Sequence, residues 1–450
     1  MTELPRGWAM ARFGDVAVNR DRERVPVNAK DRSARSGDVP YYGAAGQVGW
    51  IDKPLFDERL LLLGEDGVQF FDADKTKAYM ISGPSWVNNH AHVLSEAEGV
   101  SLSYLTHYLN QFDYQGYANG TTRLKLTRSA MDEIPMRVAP SAEQQRIVAA
   151  IDEAFSKLDA GEAGLRTVRQ LLKRMSDAVL AAAVTGHLVS QDRTNTPAAK
   201  LLADLGIEPI DAEGLPTGWA KVRLGDVASV GSGTTPGRDR TDYWERGTIP
   251  WVTSGLITRG TIREAREFVA ERALRETSLR LWPAGTLLVA MYGEGQTRGR
   301  CAELGIEATC NQACAAISLR EPFGAYKSFV RLSFDANYTA NRRLASGGVQ
   351  PNLNAGLIKD MTLSLPPPEE QARIVSEVEQ QLSFIEAAER AVDAGLARSA
   401  VLRRSVLKAA FEGRLVSQDP TDEPASVLLD RIRASRSAQP VVTRRVRETT

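Results

Sequence analysis

The sequence predicts an α+β protein: two mixed α/β bodies joined by two long antiparallel coiled-coil helices, the whole forming a pseudo-two-fold internal repeat. Blocks of sequence recur at a long offset, and two segments carry sustained heptads of apolar residues. The stretches between them break into short apolar runs bounded by glycine, proline and aspartate.

The repeat sets the organisation. "PSAEQQRIVAAI" (140 to 151) falls on "PPEEQARIVSEV" (367 to 378), and "TGHLVSQD" (185 to 192) on "EGRLVSQD" (412 to 419), both at an offset of 227. "LPRGWAMARFGDVA" (4 to 17) matches "LPTGWAKVRLGDVA" (215 to 228) at 211, so the second copy carries 16 extra residues before its helical part. The expected domains are a first body over 1–139, a first helix over 140–190, a linker over 191–214, a second body over 215–366, a second helix over 367–416 and a tail over 417–450.

In the bodies, "RLLLLGED" (59 to 66) and "GTLLVAMYGEG" (285 to 295) read as strands of a mixed sheet. Between their shared beginnings and ends the two bodies show no convincing sequence match. The first helix has an apolar seam at Ile151, Ala154, Leu158, Gly161, Leu165, Val168, Leu172, Met175, Val179 and Ala182. Pro140, Ser141 and Gln144 form its capping signal, and Gly186 stands where a C-terminal glycine cap would. The second helix carries Ile374, Val378, Ile385, Ala388, Val392, Leu402, Val406 and Ala409, interrupted by Gln381 and Ser399 and ended by Gly413. A helix of about 44 residues spans about 66 Å, too long to pack across one small domain, so each is expected to pack on the other. The mid-helix glycines Gly161, Gly164 and Gly395 are expected to allow close approach or a bend.

Composition limits the class. A chain of 450 residues with 43% hydrophobic content can bury two or more cores, and no apolar run approaches the roughly 18 residues of a membrane span, so a cytoplasmic location is expected. Cys301, Cys310 and Cys314 are odd in number and fit free thiols. With 56 basic and 56 acidic residues the net charge is zero, which counts against a nucleic-acid partner. Two local excesses count for one: residues 220–280 carry 11 Lys and Arg against 8 Asp and Glu, and the tail from Arg431 holds six arginines against Glu448. His90 and His92 alternate, but neither they nor the cysteines have four ligands at a zinc spacing, so no metal is expected.

The strings "VPYYGAAGQVGWID" (39 to 52), "WVNNHAHVL" (86 to 94), "GSGTTPGRDRTDYWERGTIPWVTSGLI" (231 to 257) and "SGGVQPNLNAGLIKDMTLSLPPPEEQ" (346 to 371), on this duplicated frame, resemble the specificity subunit of type I restriction-modification systems. The resemblance covers nearly the whole chain. It implies two target-recognition domains, each reading one half of a bipartite asymmetric site in double-stranded DNA, held apart by antiparallel helices that act as a ruler. It also implies two methyltransferase (M) subunits docked on the frame, adenine methylation, and restriction through nuclease-translocase (R) subunits. S-adenosylmethionine, ATP and Mg are then expected on the partners, with no cofactor and no catalysis in this chain. The residues agree: there is no Walker loop, and "LPPPEE" (365 to 370) is a proline stop before a helix, not a methyltransferase motif. The repeated "LVSQD" faces offer docking sites for two copies of one partner; the plainer alternative is a glycine stop followed by a polar linker. The competing function is a rod-linked, two-headed protein-binding adaptor without DNA recognition, which zero net charge favours.

Residue chemistry and loop position select the DNA contacts. In the first body they are Tyr41, Tyr42, Gln47 and Lys53, with Thr122, Arg123 and Lys125 from "NGTTRLKLT". In the second they are Thr234, Thr235, Arg238 and Arg240, then Tyr292, Gln296, Thr297, Arg298 and Arg300, then Ser346, Gln350 and Asn352. The last string lies where body meets helix, so its asparagines could instead cap backbone.

Overall fold

A computed structural model describes residues 3–211, 213–258, 260–292, 297–343 and 352–438. The chain divides into two compact units, Met1–Arg166 with Asp393–Thr450, and Thr167–Val392. The divisions fall inside the long helices, Ser141–Thr185 and Pro368–Phe411, so each helix gives one half to each unit. Among the described residues no helix is long and apolar enough to cross a membrane.

In the first unit a four-stranded antiparallel sheet runs in the order Ala17–Asn19, Ala91–Glu96, Leu60–Gly64, Ala78–Ile81. All five residues of Leu60–Gly64 are buried, which is why this strand reads as a continuous apolar run and not as an alternation. A smaller sheet follows the order Gly46–Ile51, Val39–Gly43, Pro84–Val87, Phe56–Asp57, and its central pair is parallel. A two-stranded antiparallel frame ribbon pairs Ala9–Arg12 with Pro135–Val138.

The second unit repeats this topology. Its large sheet runs Ala228–Ser232, Cys314–Leu319, Leu287–Ala290, Cys301–Leu304, with Thr261–Ile262 added at the edge. Its small sheet runs Glu267–Val269, Ile249–Val252, Thr309–Cys310, again with the parallel pair. Its frame ribbon pairs Ala220–Arg223 with Thr362–Leu365. The bodies, without a convincing match in sequence, therefore share one fold. The added residues lie ahead of the central strand: 36 positions separate Trp251 from Leu287, against 20 between the equivalent Tyr41 and Leu61.

Within the first unit the helices are antiparallel. Gly395 meets Leu165, the Ser399 hydroxyl donates to Glu162 Oε1 at 2.7 Å, and Arg403 pairs with Asp159 at 2.5 Å, so one number falls as the other rises. Within the second, Val179, Leu180 and Ala183 pack in one cluster with Ile374 and Val378. The heptad reading holds at Ile151, Leu172 and Val179 of the first helix and at Ile374, Val378, Ile385 and Val392 of the second, fails at mid-helix Val168, and drifts by one residue at the C-terminal ends. Val168, Met175 and Leu402, expected on the seam, are 41%, 41% and 44% exposed, whereas Ala183, Leu407 and Ala410 are buried. A helix of 3.6 residues per turn rotates off a strict seven-residue repeat, and the buried stripe follows the helix. Ser399, read as an interruption, is buried on the seam because Glu162 satisfies its hydroxyl. Of the three mid-helix glycines only Gly395 serves close approach: a Cβ there would lie 2.9 Å from Leu165 Cδ1, while at Gly161 and Gly164 it would meet nothing within 4 Å.

The duplicated strings meet at the junctions of body and helix. Trp8 Nε1 donates to Glu143 Oε2 at 3.0 Å, and Trp219 Nε1 to Glu370 Oε1 at 3.1 Å, both buried. Gly186 and Gly413 end the helices with φ of +75° and +68°, and a Cβ on either would fall 2.6 Å or less from a proline of the "LPxGW" string, Pro216 or Pro5. Gln191 Nε2 then donates to Gly186 O at 2.9 Å and to Glu370 Oε1 at 2.8 Å. "LVSQD" is thus engaged by its own chain. The expected linker contains a helix, Ala198–Asp204, whose Ala198 and Leu202 are buried in the second core because "TPAAKLL" is apolar on one face. In the first unit Ala425, Leu428, Leu429 and Ile432 of Ala425–Ala438 are buried likewise. Gln144, read as part of a capping box, is fully buried and bonds Ala139 O and Ser101 N instead.

Replacing either tryptophan by phenylalanine removes the indole donor from a buried carboxylate. Trp8→Phe and Trp219→Phe should each lower stability by about 1–3 kcal/mol in denaturant melts, and additively, since the sites lie in separate units. Glu143 adds a pH dependence. Burial holds its carboxyl above the ordinary range, partly opposed by the Trp8 bond. A raised folded value means that stability is present in acid and is lost as pH climbs from the unfolded value through the folded one. Glu143→Gln keeps an acceptor and cannot ionise, so its stability relative to wild type should rise as pH climbs above the ordinary glutamate range in paired urea melts.

Candidate nucleic-acid interface

In each body three chain segments converge at the same end of the large sheet. The first is the end of the central strand, Glu65–Asp66 or Met291–Tyr292. The second is the loop that connects the two sheets, 88–90 or 311–313. The third is the string that leads to the second strand of the frame ribbon. In the first body Glu65 N donates to His90 O at 2.8 Å and Leu126 N to Glu65 O at 2.7 Å. In the second, Met291 N donates to Ala313 O at 2.8 Å and Leu353 N to Met291 O at 3.1 Å. The same two hydrogen bonds make "NGTTRLKLT" and "SGGVQPNLN", chosen separately from the sequence, equivalent strings. Each then starts a short helix under an N-cap, Thr127 on Ala130 N and Asn354 on Leu357 N. The capping alternative is what Asn354 does.

The first cluster is a charge network. Arg123 pairs with Asp66 at 2.5 Å and Lys125 with Glu65 at 3.1 Å, both cations remaining more than half exposed. His90 Nδ1 lies 2.9 Å from the same Asp66. Beneath it, buried His92 bridges Asp21 Oδ2 at 2.7 Å and Leu126 O at 2.9 Å, and Arg24 joins Glu65 at 2.9 Å. His90 therefore orients Asp66, which holds Arg123, and His92 bonds the backbone of the string at Leu126, roles that sequence reading missed because Asp66 and His90 lie 24 residues apart. Among the described residues no group of three His, Cys, Asp or Glu side chains is placed to hold a metal ion. The three cysteines are buried free thiols.

Tyr42 and Gln47 face each other across the small sheet beside this cluster, and Tyr42 O accepts from Asn88 N at 3.0 Å. Thr122 and Lys53 are exposed. Tyr41 is a correction: it is 1% exposed, packed with Val39, Ile51 and Trp86, because alternate residues of a strand face opposite sides and Tyr41 takes the inner one. In the second body Thr235 bonds Gln312, Thr234 bonds Ser278 Oγ at 3.1 Å, exposed Tyr292 follows the central strand, and Asn352 sits half-buried beside it. Arg238 and Arg240 fold back on their own sheet. Arg238 stacks 3.8 Å from the Trp244 ring centroid and pairs with Glu267 at 2.6 Å; Arg240 pairs with Asp242 at 2.9 Å and with Glu276 at 3.2 Å. Thr297 and Arg300 line a cleft of about 440 Å³ with Lys173, Ser176 and Asp177 of the first helix, and Arg300 lies over Tyr338 at 4.2 Å. Arg298 is half-buried. Gln296, Ser346 and Gln350 lie outside the described residues.

This architecture has relatives. The family model described as the type I restriction modification DNA specificity domain matches residues 5–166 and 216–391. The chain is 26% identical over 460 residues to the type I restriction enzyme EcoBI specificity subunit of Escherichia coli, covering 97% of this chain and 91% of that one. It is 23% identical over 361 residues to the StySPI specificity subunit of Salmonella potsdam, covering 75% and 72%. The HsdS subunit of Thermoanaerobacter tengcongensis shares the fold at a TM-score of 0.56 and 16% identity, over 92% of this chain and 98% of that one. A chain from a study of assembly of the type I R-M system does so at 0.63 and 17%, over 92% and 100%. With the matched segments spanning both bodies and the first half of each long helix, the chain belongs to the specificity subunits of type I restriction-modification systems, which recognise DNA sequence and carry no catalysis.

Proposed function

We propose that each body reads one half of a bipartite, asymmetric DNA target and that the frame carries two methyltransferase subunits, directing adenine methylation and, with nuclease-translocase subunits, restriction. S-adenosylmethionine, ATP and Mg belong on this reading to the partners. The observation that carries it is the pairing of one backbone design with two sets of loop residues: the same hydrogen bonds hold a basic cluster in the first body and a hydroxyl and carboxamide cluster in the second. Two like scaffolds with unlike reading surfaces suit two unlike half-sites, and the repeated frame suits two copies of one partner.

Contacts divide by chemistry. Arg123, Lys125, Thr122 and Lys53 in the first body, and Thr297, Arg298 and Arg300 in the second, are phosphate contacts in this scheme. Tyr42, Gln47, Thr234, Thr235, Tyr292 and Asn352 face bases or their sugars, and Arg238 and Arg240 reach phosphate only by leaving Glu267 and Asp242.

Expressed with its cognate methyltransferase in a methylation-deficient host, the chain should produce a bipartite motif with modified adenines that is absent without it; a complex that forms and methylates nothing new counts against the reading. Arg123→Ala and Lys125→Ala in that complex should weaken binding to all sequences alike, each lowering the slope of log affinity against log salt by about one, as read in a salt titration.

A further inference from the structure

At the tip of the loop that connects the small sheet to the large one, each body carries an exposed carboxamide, Asn89 in the first and Gln312 in the second. The two positions are equivalent by hydrogen-bonded register. The preceding asparagine donates its N–H to the small sheet, Asn88 to Tyr42 O and Asn311 to Val252 O, each at 3.0 Å. The following residue accepts from the end of the central strand, His90 O from Glu65 N and Ala313 O from Met291 N, each at 2.8 Å. The tip is thus pinned on both sides.

The inner asparagines have structural work: Asn88 Oδ1 accepts from His90 N at 2.8 Å, and Asn311 Oδ1 from the Cys314 thiol at 3.1 Å. The outer carboxamides do not serve the turn in that way. Among the described non-glycine residues only Arg246 has a positive φ, so neither position 89 nor 312 requires a residue tolerant of left-handed backbone. Gln312 Oε1 is oriented by the Thr235 hydroxyl, and Asn89 adjoins His90, which holds Asp66 and through it Arg123. What the two tips share is a side-by-side donor and acceptor on a rigid, exposed loop, the pattern that matches N7 and the N6 amino group of adenine in the major groove.

We propose that Asn89 and Gln312 are the equivalent base-reading carboxamides of the two bodies, each contacting the adenine of an A·T pair in its own half-site. The inference rests on the bipartite reading above. The test uses the assembled methyltransferase complex and a panel of duplexes carrying the mapped target with single base-pair substitutions. In Asn89→Ala, discrimination at one A·T position of one half-site should fall by about 5- to 150-fold, with the other half-site read as before; Gln312→Ala should do the converse. The undisturbed half-site reports that the variant is folded, and Asn89→Gln should retain part of the preference. Unchanged profiles, losses confined to G·C positions, or losses in both half-sites at once overturn the assignment while leaving the bipartite reading standing. A wild-type complex with no bipartite target overturns both.

Discussion

Each body is fastened to the helical frame by a buried hydrogen bond between an indole and a carboxylate in the first turn of a long helix, Trp8 to Glu143 and Trp219 to Glu370. A carboxylate taken out of water costs several kcal/mol unless hydrogen-bonded, so it tolerates few geometries around it. The helix N-terminus favours its charge, and the tryptophan of "LPxGW" supplies a directed donor. Both glutamates carry one further buried oxygen with no hydrogen-bond partner assigned, Glu143 Oε1 and Glu370 Oε2, which makes the indole bond more costly to lose. The incoming helix end closes the junction: Gly186 and Gly413 admit the prolines of the same string, and Gln191 caps Glu370. Ala198 N to Gly218 O and Ala425 N to Gly7 O, both 2.8 Å, repeat the closure in each unit.

That constraint explains why sequence is duplicated where it is. The strings that recur are those that make the junction, including "LVSQD", whose partners in the structure are the chain's own helix ends and body. Between junctions the requirement is only that a buried strand, a sheet-to-sheet loop and a return string exchange the same backbone hydrogen bonds. Backbone bonds are indifferent to side chains, so Leu60–Gly64 and Leu287–Ala290 serve the same place while the loop residues beyond them differ.

Much of this was legible in the sequence, because it rests on local periodicity and long identical strings: the two helices, their antiparallel pairing, the two bodies and the family. What was not legible depends on contacts between distant residues. The drift of the helical seam past Ser399 follows from accumulated helix rotation, which a strict heptad ignores. Tyr41 and Tyr42 are adjacent and chemically alike, and only the pleat decides that Tyr41 is core. The equivalence of "NGTTRLKLT" and "SGGVQPNLN" appears only through Leu126 and Leu353, which share a register and little surrounding sequence. The signal that could have revealed it is the cap residue following each leucine, Thr127 and Asn354.

The zero net charge, which counted against DNA, has a physical role on the proposed reading. Arg123, Lys125, Arg238 and Arg240 each sit beside a carboxylate of the chain, so a phosphate that takes one of them displaces Asp66, Glu65, Glu267 or Asp242. Each exposed pair is worth only about 0–1 kcal/mol, but every sequence of DNA incurs that exchange equally. Counterion-driven, sequence-independent binding is thereby weakened, whereas contacts to base edges are not. Paired in this way, these four cations contribute less to holding random DNA, and net affinity relies more on the bases that are read. This balance is useful in a subunit that must find one target among many similar sites, because specificity depends on the ratio of the two affinities and not on either alone.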